Sequence, residues 1–98
     1  MYERAANSIP TGRMVQPSEP PWDDCFTDMI ESPSLHWSDT WSLILWSDCE
    51  HWMIYTEPEH ALCVEPQSGP PNAVHMNEAH VVRAHRPHRA RMRWTIQP

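Results

Sequence analysis

Proline sets the strongest limit on what this chain can fold into. Eleven prolines are spread over its 98 residues. Each lacks a backbone donor and clashes with the carbonyl four residues earlier, so almost every long helix is interrupted. What remains is a set of short extended segments joined by Pro-rich or polar turns. Ile9-Pro10-Thr11-Gly12 reads as a turn into a short strand over 13–16, and 17–21 as an extended, solvated loop. Residues 22–30 are mixed and read as a turn with a helical loop. The strongest strand signal is 35–46, with Trp41, Leu43 and Leu45 on one side and Ser42, Ile44 and Trp46 on the other. Turn chemistry at 47–50 predicts a hairpin returning through 51–56. A further strand over 61–65 is stopped by Pro66, and the Pro/Gly cluster at 66–71 is a loop. Two last strands are expected at 79–84 and 90–96, around a polar turn near His85 to His88. In the second, Arg91, Arg93 and Thr95 alternate with Met92, Trp94 and Ile96, the pattern of a half-buried strand. Several short strands at regular spacing predict an all-β fold, an antiparallel β-sandwich.

Charge is unevenly placed. Residues 1–78 hold all thirteen carboxylates against two Arg, a net −11; residues 79–98 hold five Arg and no acid, which brings the total to −6. An acidic body repels phosphate, so the Arg83 to Arg93 cluster is expected to pair internally rather than bind nucleic acid. The most apolar run, Trp41 to Trp46, is far too short to cross a bilayer, and no membrane association is expected. Three cysteines fit no disulfide framework, and the polar N-terminal residues do not resemble a signal peptide. Together these predict reduced thiols in the cytoplasm. Cys49, His51, His60 and Cys63 are ligand-type residues, but their spacing fits structural zinc poorly, so no metal is expected.

The densest local signal is 61–73, Ala-Leu-Cys-Val-Glu-Pro-Gln-Ser-Gly-Pro-Pro-Asn-Ala. It is an apolar strand ending in the carboxylate of Glu65, followed by a loop stiffened by three prolines. A carboxylate held rigidly beside Val64 and proline rings is expected to be partly desolvated, which suits a general base. The segment resembles the C-terminal signature of aldose 1-epimerases, the galactose mutarotases. In a bacterial sub-group that signature reads Cys-Val-Glu-Pro-Gln-Thr-Gly-Pro-Pro-Asp-Ala. Upstream, Trp22-Asp23-Asp24-Cys25-Phe26-Thr27 resembles the Asp-Asp-Cys-Phe segment of the same family. Ile9-Pro-Thr-Gly, the Ser47-Asp48-Cys49 turn with Trp52 and Tyr55, and Met92-Arg93-Trp94 agree in order.

The resemblance implies that residues 1–98 form the C-terminal portion of a galactose mutarotase-like supersandwich and are incomplete alone. It implies interconversion of the α and β anomers of an aldohexose, with Glu65 as base, Asp23 holding sugar hydroxyls, and no cofactor. The family's acid and its partner are histidines from an earlier part of the sandwich. None of the seven histidines here sits in a matching motif. Ser68 stands for the usual Thr, Asn72 for the usual Asp, and Asp28-Met29 for a more usual Gly-Leu. Self-association or a complementing chain is therefore expected, with exposed apolar residues near 41–46 or 52–54. The alternative is a non-catalytic carbohydrate-binding or protein-interaction module. The tryptophans Trp37, Trp41, Trp46 and Trp52 could stack on a sugar, although core positions are the commoner use.

Overall fold

The computed structural model describes residues 1–98 and contains eight β-strands and no helix. The strands are β1 (Tyr2–Arg4), β2 (Pro10–Met14), β3 (Asp23–Phe26), β4 (Ser34–Trp37), β5 (Trp41–Ser47), β6 (His51–Tyr55), β7 (Cys63–Gln67) and β8 (Met92–Gln97). All pairings between them are antiparallel, in a β1-β2 ribbon and two three-stranded sheets ordered β3-β6-β7 and β4-β5-β8. The chain is all-β, as expected from its short proline-punctuated segments. With no helix present, none is long and apolar enough to cross a membrane.

Several local expectations are corrected. Residues 22–30 give a strand, β3, instead of a helical loop: Asp23 to Phe26 pair with Tyr55 to Trp52. The long strand expected over 35–46 is a hairpin, broken at Ser38, whose φ of 45° turns the chain so that Trp37 faces Trp41. Their rings stack at 4.1 Å. β6 exists but does not return on β5; it lies between β3 and β7 in the other sheet. Pro66 does not end β7, which continues to Gln67. β7 is an edge strand, and a proline is tolerated where the missing N–H would face outward. The first strand after the N-terminal turn starts at Pro10, earlier than expected, because the turn closes at Ser8 with φ 65°. Residues 79–84 form no strand, only a bridge between Arg83 and Arg86 around a tight turn.

Apolar burial is thin. Tyr2, Cys25, Phe26, Leu45 and Trp52 are the buried apolar side chains. The accessible surface is 7521 Å². A compact monomer of this mass exposes about 5,800 Å². The radius of gyration, 15.0 Å, likewise exceeds the about 13 Å of a compact domain of this length. β8 was expected to be half-buried, yet all six of its residues are exposed. Trp46 is exposed as anticipated, but Leu45 and Trp52 are core, and within the two three-stranded sheets the most exposed large apolar side chains are instead Trp94 and Ile96.

Candidate functional site

The β3-β6-β7 sheet places the two predicted carboxylates on its two outer strands. Register pairs Asp23 with Tyr55 and Tyr55 with Cys63; the next row is Cys25, Met53 and Glu65. Residues opposite one another across antiparallel strands share a face, and so do residues two apart along a strand. Asp23 and Glu65 therefore lie on one face, two strands apart. Their Cα atoms are separated by about 12 Å from ideal strand spacings. The long gap between them in sequence is closed by β6.

Their surroundings differ. Asp23 is half-buried, and its Oδ2 lies 3.6 Å from Nη1 of Arg4, which reaches over from β1. Glu65 is exposed and stands in mid-strand, so the desolvation expected from Val64 and the prolines is not found. Its Oε1 accepts a hydrogen bond of 2.6 Å from the Cys63 thiol, two residues away on the same face. That carboxylate holds the Cys63 thiol above the usual range. Neither Asp23 nor Glu65 lines any of the five main hollows of the surface.

The same face carries a cluster that sequence reasoning missed. His51, on β6, is the diagonal neighbour of Glu65, and Tyr2 of β1 stacks over its ring. The Tyr2 hydroxyl donates to Oε2 of Glu78 at 2.7 Å and lies 3.2 Å from Nε2 of His51. Burial and the Glu78 carboxylate push the Tyr2 hydroxyl well above its ordinary range. Nδ1 of His51 is buried without a partner. Glu78 is placed by the loop after β7: a Cβ at Gly69 would stand 3.2 Å from the Glu78 carbonyl, so only glycine allows this approach without a shift. Asn72, at φ 68°, ties the same loop to β2 through its side-chain amide and the Pro10 carbonyl, 3.1 Å apart. Tyr2, His51 and Glu78 come from three distant segments, and no local motif announces them.

This cluster makes the fold sensitive to alkali. Tyr2 and Cys25 both titrate higher in the folded chain than in water; burial pushes the Cys25 thiol up to about 11. A group whose folded value is raised stabilises the fold below its unfolded value and loses that contribution as pH climbs toward the folded one. Tyr2→Phe is expected to cost about 1–3 kcal/mol near neutrality by unpairing Glu78 and His51. Above the ordinary tyrosine value of 10.0, the gap to the natural chain should narrow by up to about 1.4 kcal/mol per pH unit. Urea midpoints taken from pH 8 to 11 check this, and a gap independent of pH would refute it.

The tryptophans do not form one sugar platform. Trp52 is core, Trp37 and Trp41 stack on each other, and Trp46 lies on the opposite face of its sheet beneath Arg93, 5.3 Å from the guanidinium carbon. Trp46 and Trp52 do line a hollow of about 440 Å³ with Asp28, Glu31 and Glu50, away from Glu65. The three cysteines are free, and no group of His, Cys, Asp and Glu is gathered with metal-binding geometry. No protein-family model, curated protein or solved structure matches the chain.

Proposed function

We propose that this chain supplies the base-bearing sheet of an aldose 1-epimerase acting on an aldohexose, in a reducing compartment such as the cytoplasm. One observation carries the reading: the two segments that resemble that family, Asp23-Asp24-Cys25-Phe26 and Cys63-Val64-Glu65-Pro66, flank β6 in a single sheet, with Asp23 and Glu65 on one face. In this reading Glu65 takes the proton of the C1 hydroxyl while an acid protonates the ring oxygen and the bond from that oxygen to C1 breaks. The aldehyde turns about the C1–C2 bond, and the reverse steps close the ring on its other face. Protons and electrons balance over the cycle. Asp23, steadied by Arg4, accepts hydrogen bonds from neighbouring hydroxyls.

The acid comes from outside this chain. His51 is near enough in the sheet, but its ring is held between Tyr2 and Glu78. Added imidazole can therefore stand in for the acid. Polarimetry of fresh α-galactose or α-glucose in imidazole buffer should show mutarotation faster than in buffer alone. A positioned acid–base group is worth about 10²–10⁴-fold, and Glu65→Gln should remove the whole increment. Acceleration untouched by Glu65→Gln, or none in either protein, would defeat the proposal. Sugar binding without turnover in both would instead favour a binding module using the hollow beside Trp46.

A further inference from the structure

The β4-β5-β8 sheet ends in an open strand with an apolar face. Register aligns Leu35, Leu43 and Ile96 in one row and Leu45 with Trp94 in the next; Met92 continues the same face. Met92, Trp94 and Ile96 are 48%, 64% and 68% exposed. The strand they occupy is the edge of its sheet.

Hydrogen-bond phase shows what that edge offers. The Asp48 N–H donates to the Arg91 carbonyl, and on the other side of β5 the Leu45 N–H donates to the Pro33 carbonyl. Since hydrogen-bonded and non-bonded pairs alternate along an antiparallel ladder, even-numbered residues of β5 bond to β8 and odd-numbered ones to β4. On β8 the bonds to β5 are thus made at Arg93, Thr95 and Gln97. The N–H and C=O groups of Met92, Trp94 and Ile96 point away, to the open edge. Natural edges are usually blocked by proline, a bulge or inward charge. Here the pairing with β5 runs through six residues without a register shift, and Arg93 lies on the opposite face over Trp46.

We propose that β8 pairs antiparallel with β8 of a second copy of this chain, about a two-fold axis through Trp94, to make one six-stranded sheet. In that register Trp94 faces its own counterpart, Met92 faces Ile96, and each of these pairs is hydrogen-bonded in both directions. Arg93 falls opposite Thr95 and Arg91 opposite Gln97, so no arginine meets another. Centring on Arg93 would oppose two like charges, and centring on Thr95 would give up a bonded pair. A two-fold pairing of one edge with itself closes, so it yields a dimer and no filament. The inference is independent of the epimerase reading.

Sedimentation equilibrium should return twice the chain mass at high micromolar concentration. Trp94→Pro removes an N–H that the β5 ladder does not use, and Ile96→Lys places a charge in the apolar row; both should sediment as monomers with an unchanged circular dichroism spectrum. Cysteine cross-linking reads the register itself, in a Cys49→Ser, Cys63→Ser background. Bonded antiparallel pairs hold Cα atoms about 5.5 Å apart, within disulfide reach. Trp94→Cys should therefore cross-link with itself. Ile96→Cys should do so only when mixed with Met92→Cys. A natural chain that stays monomeric, or Ile96→Cys cross-linking to itself as readily as Trp94→Cys, would overturn the proposal.

Discussion

Trp52→Ala is expected to remove about 3–5 kcal/mol of stability, the range for deleting a buried large aromatic side chain, and so to unfold much of the β3-β6-β7 sheet. Trp52 is 4% exposed and sits on the central strand of that sheet, directly opposite Phe26 and beside Pro66 in register. Trp22 meets the Phe26 ring edge-on at 5.5 Å, so Trp22, Phe26 and Trp52 form one cluster beneath the face that carries Asp23 and Glu65. Aromatic pairs of this kind add about 0.5–1.5 kcal/mol to simple burial. Small domains have only about 5–15 kcal/mol in total, and this one buries few apolar side chains, so little remains to absorb the loss. Ile30→Ala is the control: Ile30 is 98% exposed, and its truncation should change stability by less than about 0.5 kcal/mol. Urea unfolding followed by near-ultraviolet circular dichroism compares the two. A Trp52→Ala loss below about 1 kcal/mol would show that the cluster is not the core of its sheet.

The all-β class and several strands, β5 to β8 among them, were legible in the sequence; β1, β3 and the pairing were not. Prolines break up much of the chain, but residues 34–57 hold none; there the β signal is the alternation of apolar and polar residues and the aromatic and β-branched content. β5, β6 and the residues of β8 likewise carry their own alternating or β-branched and aromatic signal. Partner choice has no such signal. The Ser47–Glu50 turn suits a hairpin, yet β6 finds better burial between β3 and β7, where Trp52 meets Phe26. Asp23-Asp24 after two prolines has the composition of a turn; what makes it a strand is the edge of β6 and Arg4 against its carboxylates. Pro66 is a strand breaker only where its missing N–H is needed, and that depends on β7 being an edge. The site follows the same division. Glu65 and Asp23 stand in recognisable segments, but their common face exists only because β6 lies between them. Tyr2, His51 and Glu78 had no local signature, since their association depends on β1 crossing over the sheet and on the close approach at Gly69.

Arg4→Ala should be the second costly change, because it strands a buried carboxylate. Asp24 is 5% exposed, and its Oδ1 accepts from Nε of Arg4 at 2.9 Å; its Oδ2 lies 3.3 Å from the Asp23 N–H. Breaking a fully buried pair from one side costs about 3–5 kcal/mol, since the remaining charge is left without compensation. The Arg4 side chain is 30% exposed, so solvent screens part of that, and about 2–4 kcal/mol is expected. Replacing both members, Arg4→Leu with Asp24→Leu, should recover most of the loss, because the cost lies in the orphaned charge more than in the missing bond. Arg13→Ala provides the contrast: Arg13 pairs with Glu3 in open solvent, and its removal should leave stability nearly unchanged. Arg4 also touches Asp23, so the single variant frees the proposed hydroxyl-binding carboxylate to move, while the Leu pair restores the strand without restoring that anchor. Stability and sugar affinity should therefore separate in the double variant, the first recovered and the second still weakened. Recovery of both together would mean that Arg4 serves the fold alone and that Asp23 needs no partner to hold its position.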